Sequence, residues 1–361
     1  MSSVSLYRKS MISLMERIAP TAGFLSSFAQ TPAENIFNSE TVEIDIVRNK
    51  MSYAVDIVPH TGARFNKSTK YTTKEYTPPA YKEAFTLTGK DLQYKPAGVN
   101  PYDASKVAYI AQGVQVMMKN NAVSAQKIKY AVEKQARDAY FSGKITLING
   151  DEIDFNKKNT HSITPSAKWD NALGKPIDDL TNACDIIRTD AMLGASTFDL
   201  ILEDTVLNAL LDNAQVKERG NYRRIDLINI SMPQGINSEG ATFHGVMSAG
   251  SNTINLWTYN AKYEIPTGFG LDDEGTKENF IPQGEGLLIA RGVRFDIVYG
   301  GIPQIVDYDN VALPIPQAEK MLPFVYVDRE NQVVKYGLES RPLFIPTEID
   351  GFATFKAMLT A

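Results

Sequence analysis

Apolar positions spaced three and four residues apart mark the first element, because Val4, Tyr7, Met11, Leu14, Met15 and Ile18 fall on one side of a helix with Ser2 or Ser3 as possible caps. Pro20 and Gly23 end it. The run Val42-Glu43-Ile44-Asp45-Ile46 then alternates apolar with acidic, the two-residue period of a half-buried strand. Helical spacing resumes beyond Pro101, most clearly from Ser124. Ala125, Ile128, Val132, Ala136 and Ala139 form one stripe there, while Lys127, Lys129, Glu133 and Arg137 lie off it. This pattern predicts a long helix ending near Gly143. Two strand-like runs follow, Ile145 to Ile148 and Asp151 to Phe155, joined by Asn149-Gly150, which tolerates positive φ and suits a type I′ turn.

Pro165 to Pro176 reads as a linker, after which Ile177, Leu180, Cys184 and Ile187 restart a helical stripe. A strand over Phe198–Leu202, a helix capped by Asp204 and running to Ala214, and strands over Thr253–Tyr259 and Lys262–Ile265 continue this second lobe. Strands following helices in blocks make the lobe α+β. The run from Val325 to Lys356 is strand-like, with Pro342 and Pro346 confining it to edges or turns.

The segment 57–89 has a different texture, rich in Thr, Tyr and Lys and almost free of Leu, Ile and Val between Phe65 and Ala84. Arg64, Lys67, Lys70, Lys74 and Lys82 outnumber Glu75 and Glu83, so it is net positive within a chain of formal charge −5. Such a hairpin is marginal alone in water. It is either a solvated loop or an arm ordered by lying across an acidic neighbouring copy.

With 361 residues, 43% apolar and 22% charged, the chain can bury one substantial core or two unequal lobes without metals or staples. No apolar run approaches a membrane span, and charged Arg8, Lys9, Glu16 and Arg17 interrupt any signal-peptide core. A single cysteine, Cys184, excludes an internal disulfide framework, and the acidic balance disfavours tight nucleic-acid binding.

Candidate chemistry is thin. His60, His161 and His244 have no Cys or His at ligand spacing, and Cys184 lies on an apolar stripe as a small buried hydrophobe. Asp272-Asp273-Glu274-Gly275 lacks the alternating spacing of a calcium loop, and the pairs Gly268/Gly270 and Gly284/Gly286 lack a phosphate-loop lysine. No nucleophile elbow is present. Neither catalytic residue, metal nor cofactor is expected.

The order of parts, together with Ile57-Val-Pro59, Gly62, Glu75-Tyr-Thr-Pro78 to Leu87, Gln135 to Gly143 and the ending Glu339-Ser-Arg-Pro-Leu343 to Phe352-Ala-Thr-Phe355, resembles the lambda-type phage major capsid protein family. That resemblance implies an α+β fold of the Hong Kong 97 phage capsid type. It divides the chain into an N-terminal helix and arm (1–40), an extended loop with its flanking strands (41–95), a peripheral domain with a spine helix (96–170), an axial domain (171–325) and return strands of the peripheral domain (326–361).

The resemblance also implies a shell subunit that assembles with copies of itself as pentamers and hexamers into an icosahedral head. The head would enclose double-stranded DNA without sequence-specific binding. Separate scaffolding, portal and decoration proteins are expected partners, with no membrane, and the virion as location after assembly in the host cytoplasm. Arg64, Lys67, Lys70, Tyr71, Lys74, Tyr76, Tyr81 and Lys82 are the expected loop contacts between subunits. Some shells of this fold cross-link a loop lysine covalently, but nothing marks one here, so no cross-link is expected. An encapsulin-like compartment around cargo protein is the alternative assembly, and an α+β hydrolase the alternative outside assembly.

Overall fold

The computed structural model describes residues 23–46, 72–89, 91, 106–147, 150–220, 228–234, 240–265, 276–308 and 311–358. The helix expected over 4–18, His60 and the loops around Gly268 and Asp272 lie outside these residues.

In chain order the strands begin with β1 (Ala29–Gln30), β2 (Val42–Ile46), β3 (Thr72–Tyr76) and β4 (Tyr81–Leu87). Helix α1 (Lys106–Phe141) follows, then β5 (Lys144–Thr146), β6 (Glu152–Asp154) and β7 (Ser162–Ile163). Next come α2 (Pro176–Ala191), β8 (Thr197–Leu202), α3 (Asp204–Asp212), α4 (Ala214–Gly220), β9 (Ile228–Gln234), β10 (Ala241–Ala249), β11 (Asn252–Tyr259), β12 (Lys262–Ile265) and β13 (Thr276–Asn279). The remainder is β14 (Glu285–Ala290), β15 (Phe295–Tyr299), β16 (Ile302–Tyr308), β17 (Val311–Gln317), β18 (Leu322–Asp328), β19 (Val333–Ser340), β20 (Pro342–Ile345) and β21 (Phe352–Lys356).

A seven-stranded sheet in the order β7-β21-β14-β8-β11-β10-β9 forms the central layer. Strand alternation gives it two buried faces. Phe198, Leu200 and Leu202 of β8 pack with Leu288 and Phe355 against Leu180, Cys184 and Ile187 of α2. Ile201, Leu287, Ile289 and Phe352 point the other way, into a core shared with Val132, Ala136 and Tyr140 of α1. Pro176 at the first turn of α2, with Asp178 and Asp179 beside it, suits a helix N-terminus.

Helix α1 spans 36 residues, about 54 Å, and starts well before Ser124. Its earlier half carries a sparser stripe, in which Met117 packs with Leu87 and Tyr336, so periodicity alone understated its length. Ala125 and Ile128 meet Leu338 about two to three turns further along. These contacts lay the sheet β18-β19-β4 along the helix. Gly337 sits where a Cβ would stand 2.0 Å from the Glu83 carbonyl oxygen, so only glycine lets β4 approach β19 this closely.

Four sequence expectations change. The hairpin after α1 pairs Ile145 with Ile153, but the Leu147 N–H bonds to the Asp151 carbonyl at 2.8 Å and the Gly150 N–H to the Leu147 carbonyl at 3.0 Å. The connection therefore has three residues, with Gly150 last at φ 87°, rather than a two-residue turn. The supposed linker is packed. Trp169 is buried and donates from Nε1 to Asp179 at 3.0 Å, while Asn213 donates to the Trp169 and Gly174 carbonyls at 3.2 and 3.1 Å. The same Asn213 splits the helix expected through Ala214, because its Oδ1 accepts the Gln215 N–H and caps α4 as a separate helix. Finally, residues 326–361 do not return together. β19 pairs with β4 and β20 with β15, whereas β21 enters the seven-stranded sheet beside β14, among strands expected in the axial lobe.

Candidate subunit interface

The strands on either side of residues 47–71 pair with each other. β2 and β3 run antiparallel from Val42↔Tyr76 to Ile46↔Thr72, so the chain leaves and re-enters at neighbouring positions. Glu43 stands directly opposite Glu75, and both are exposed. Like charges across a strand pair cost stability unless a cation meets them.

Of the eight expected contact residues, Arg64, Lys67, Lys70 and Tyr71 lie outside the described residues, and Lys74 is placed only by its register opposite Ile44. The other three are anchored in their own chain. Tyr76 is buried, its ring 5.9 Å from that of Phe155 and its hydroxyl donating to the Asp154 carbonyl at 3.3 Å. Burial, and then the charge of Asp154, raise its phenol above the ordinary range.

Tyr81 accepts the Gln135 Nε2 hydrogen at 2.8 Å, while Gln135 also donates to the Pro342 carbonyl and accepts the Phe344 N–H. One amide thereby ties α1 to β4 and β20. Lys82 pairs with Glu339 at 3.0 Å, and its ammonium lies 4.7 Å from the Phe324 ring centroid, with half of the side chain still exposed. These three residues brace β3 and β4 within their own chain.

Sequence reasoning misplaced Glu133. It lies off the apolar stripe yet is fully buried, because its two carboxylate oxygens accept the Leu25 and Ser26 N–H groups at 2.7 and 2.8 Å. It thus caps the turn Ser26–Phe28 and fastens the arm to α1. Burial pushes its carboxyl up, and the hydrogen bonds from Ser26 and Leu25 oppose that shift. No local sequence signal distinguishes it from an exposed helix glutamate. Glu133→Leu should lower stability by about 2–4 kcal/mol by stranding one buried and one part-buried donor, whereas Glu133→Gln, which keeps one acceptor, should lose less. Urea unfolding of both variants checks the order, and equal small losses would reject the capping role.

Chemical groups elsewhere are occupied structurally. Burial pushes the Cys184 thiol up to about 12, so it stays protonated. His244 Nε2 contacts Thr258 at 2.7 Å. Among the described residues no three His, Cys, Asp or Glu side chains are grouped to hold a metal ion.

Residues 8–357 match the sequence model of the phage major capsid protein E family. No curated protein matches the sequence. Among solved structures, a protein assigned as the capsid protein of a prophage in Escherichia coli CFT073 aligns with a TM-score of 0.64 at 17% identity, over 97% of this chain and 99% of its own. The capsid of Staphylococcus phage Andhra aligns at 0.43 and 12% identity over 94% and 85%. The SrpI encapsulin of Synechococcus elongatus PCC 7942 aligns at 0.42 and 11% over 89% and 85%. The first likeness carries the fold, and it agrees with the Hong Kong 97-type architecture expected from sequence.

Proposed function

The chain belongs to the phage major capsid protein E family, and from that premise we propose that copies of it close through pentamers and hexamers into an icosahedral head around double-stranded DNA. It is a shell protein and a virion component. In the proposed head, the sheet β18-β19-β4 with α1 forms the peripheral lobe, and the seven-stranded sheet with α2 to α4 forms the axial lobe. Scaffolding, portal and decoration proteins would be separate chains that meet the assembled shell.

Charge on the extended loop carries the inter-subunit part of the proposal. Residues 47–71 hold five cations, Arg48, Lys50, Arg64, Lys67 and Lys70, against the carboxylate of Asp56. The ribbon at the foot of the loop presents Glu43 and Glu75 side by side. A basic segment from one copy laid on the acidic foot of the next relieves that repulsion and repeats around a ring. Each such contact is modest, but closure of the shell makes them cooperative.

Electron microscopy of the concentrated full chain tests the assembly. Closed shells, rings or tubes are expected, and a particle that stays monomeric at every concentration refutes it. Nucleic acid rather than protein inside shells isolated from infected cells separates a head from an encapsulin-like compartment. Raising salt from about 0.05 to 0.5 M should slow shell closure, since the Debye length shrinks about threefold.

A further inference from the structure

Strands β16 and β17 pair with each other from Ile302↔Gln317 to Tyr308↔Val311, and with no other strand among the described residues. The root of this hairpin is fixed. Ile302 is buried, and the Gly300 and Gly301 N–H groups donate to the Arg341 and Ser39 carbonyls at 2.9 and 2.8 Å. Beyond the root the hairpin opens to solvent, with Ile305 63% exposed. Register and the two-residue period of strands put Ile305 on one face with Pro303 and Pro316, which are exposed as well. Of the fourteen paired residues eight are apolar, three are proline and only Asp307 is charged, the composition of a strand inside a protein. A lone two-stranded hairpin is marginal in water, and a continuous apolar face on a soluble protein marks an interaction site.

The prolines also decide how it can be approached. Having no N–H, the directly opposed Pro303 and Pro316, and Pro314 two residues on, occupy positions whose backbone points out of the ladder. The same alternation leaves Ala312 as the one outward donor on β17. That edge resists pairing with a further strand, so recognition falls to the apolar face. Seven residues per strand make one face about 23 Å by 10 Å, roughly 230 Å², against about 800 Å² on each partner of a stable pair. Two copies joined only here would separate in dilute solution, whereas the contact holds where it repeats around a closed ring.

A shell is built from copies of one chain, so the surface that receives the hairpin lies on the same sequence. Tyr326 and Val327 are adjacent large apolar side chains, 49% and 58% exposed, on β18, the outer strand of the sheet β18-β19-β4. Exposed Lys335 is paired across the strands with Tyr326, and the Lys82 ammonium lies 5.8 Å from the Tyr326 ring centroid. Cations therefore flank this site, complementing a hairpin whose one charge is Asp307.

We propose that the Ile305 face of the β16–β17 hairpin packs on β18 of a neighbouring copy, at Tyr326 and Val327. This contact presupposes the proposed assembly and is separate from the one made by residues 47–71.

The test follows shell formation by the full chain over a range of concentrations, by light scattering and electron microscopy. Ile305→Lys should keep the wild-type urea midpoint and raise the concentration needed for shells at least about tenfold, the loss of one buried aliphatic contact per copy. Should that variant not fold, Val327→Lys on the receiving strand should give the same shift. The double variant Ile305→Cys with Val327→Cys, treated after assembly with a short thiol cross-linker, should yield a ladder of joined chains that neither single variant yields. Cys184 stays out of the reaction, being buried with its thiol pushed up to about 12. Wild-type-like shells from the lysine variant would assign the hairpin to a separate head protein or a lipid surface. That result, or the absence of a ladder, overturns the contact and leaves capsid assembly standing, whereas a wild type that never assembles removes both.

Discussion

Replacing residues 47–71 by a four-residue turn built around Asn-Gly should leave a folded subunit that no longer forms closed shells. The junction is favourable because Ile46 and Thr72 are directly paired, so their chain ends are already within reach of a short hairpin. All three braces at the foot survive: Tyr76 against Phe155, Tyr81 on Gln135 and Lys82 on Glu339. A larger excision through residue 82 would remove those braces too, and loss of assembly would then say nothing about the loop itself. Unchanged urea unfolding with subunits confined to monomers or small rings by sedimentation is the expected result. Normal shells would end the proposal that this segment joins neighbours.

Tyr140→Ala should cost about 3–5 kcal/mol, the range for emptying a buried aromatic position. Tyr140 sits where α1 crosses three other strands, with its ring edge-on to Phe295, Phe344 and Phe352 at centroid distances of 5.3, 5.3 and 5.1 Å. Those rings come from β15, β20 and β21, so one side chain joins the helix to two different sheets. Tyr140→Phe keeps the ring and gives up only a 3.4 Å hydrogen bond to the Leu25 carbonyl, a change worth less than about 1 kcal/mol. Denaturant unfolding of the pair measures the difference. A loss below about 1 kcal/mol for the alanine variant would mean the site collapses around the smaller residue and that the crossing is not held by this ring.

Local periodicity was legible wherever burial depends on neighbours in sequence. The stripe Ile177, Leu180, Cys184 and Ile187 is the buried face of α2, and the apolar runs at 197–202 and 252–259 are central strands. What the sequence concealed depends on partners far along the chain. Glu133 has the company of an ordinary solvent-facing helix residue, and only the turn at Ser26, 107 positions away, explains its burial. His161 looked isolated because Asp190, Asp350 and Phe352 come together only in three dimensions. Pro and Gly between 165 and 176 correctly announced irregular backbone but could not reveal that Trp169 plugs it into the core. Around residues 57–89, composition showed the net positive charge, whereas the roles of Tyr76, Tyr81 and Lys82 as braces required their contacts.

The placement of β21 has a consequence for synthesis. This strand lies inside the seven-stranded layer, joining β14 to β7, with Thr354 registered on Ser162. β21 follows its partner β7 by about 190 residues and its partner β14 by about 65, so a ribosome delivers the strand that covers one side of β14 only after both partners, and pairing over such distances is slow. A nascent polypeptide therefore cannot finish the layer, and a premature stop upstream of codon 352 would release a product with a bare strand edge, a species for chaperones and proteases rather than for the growing particle.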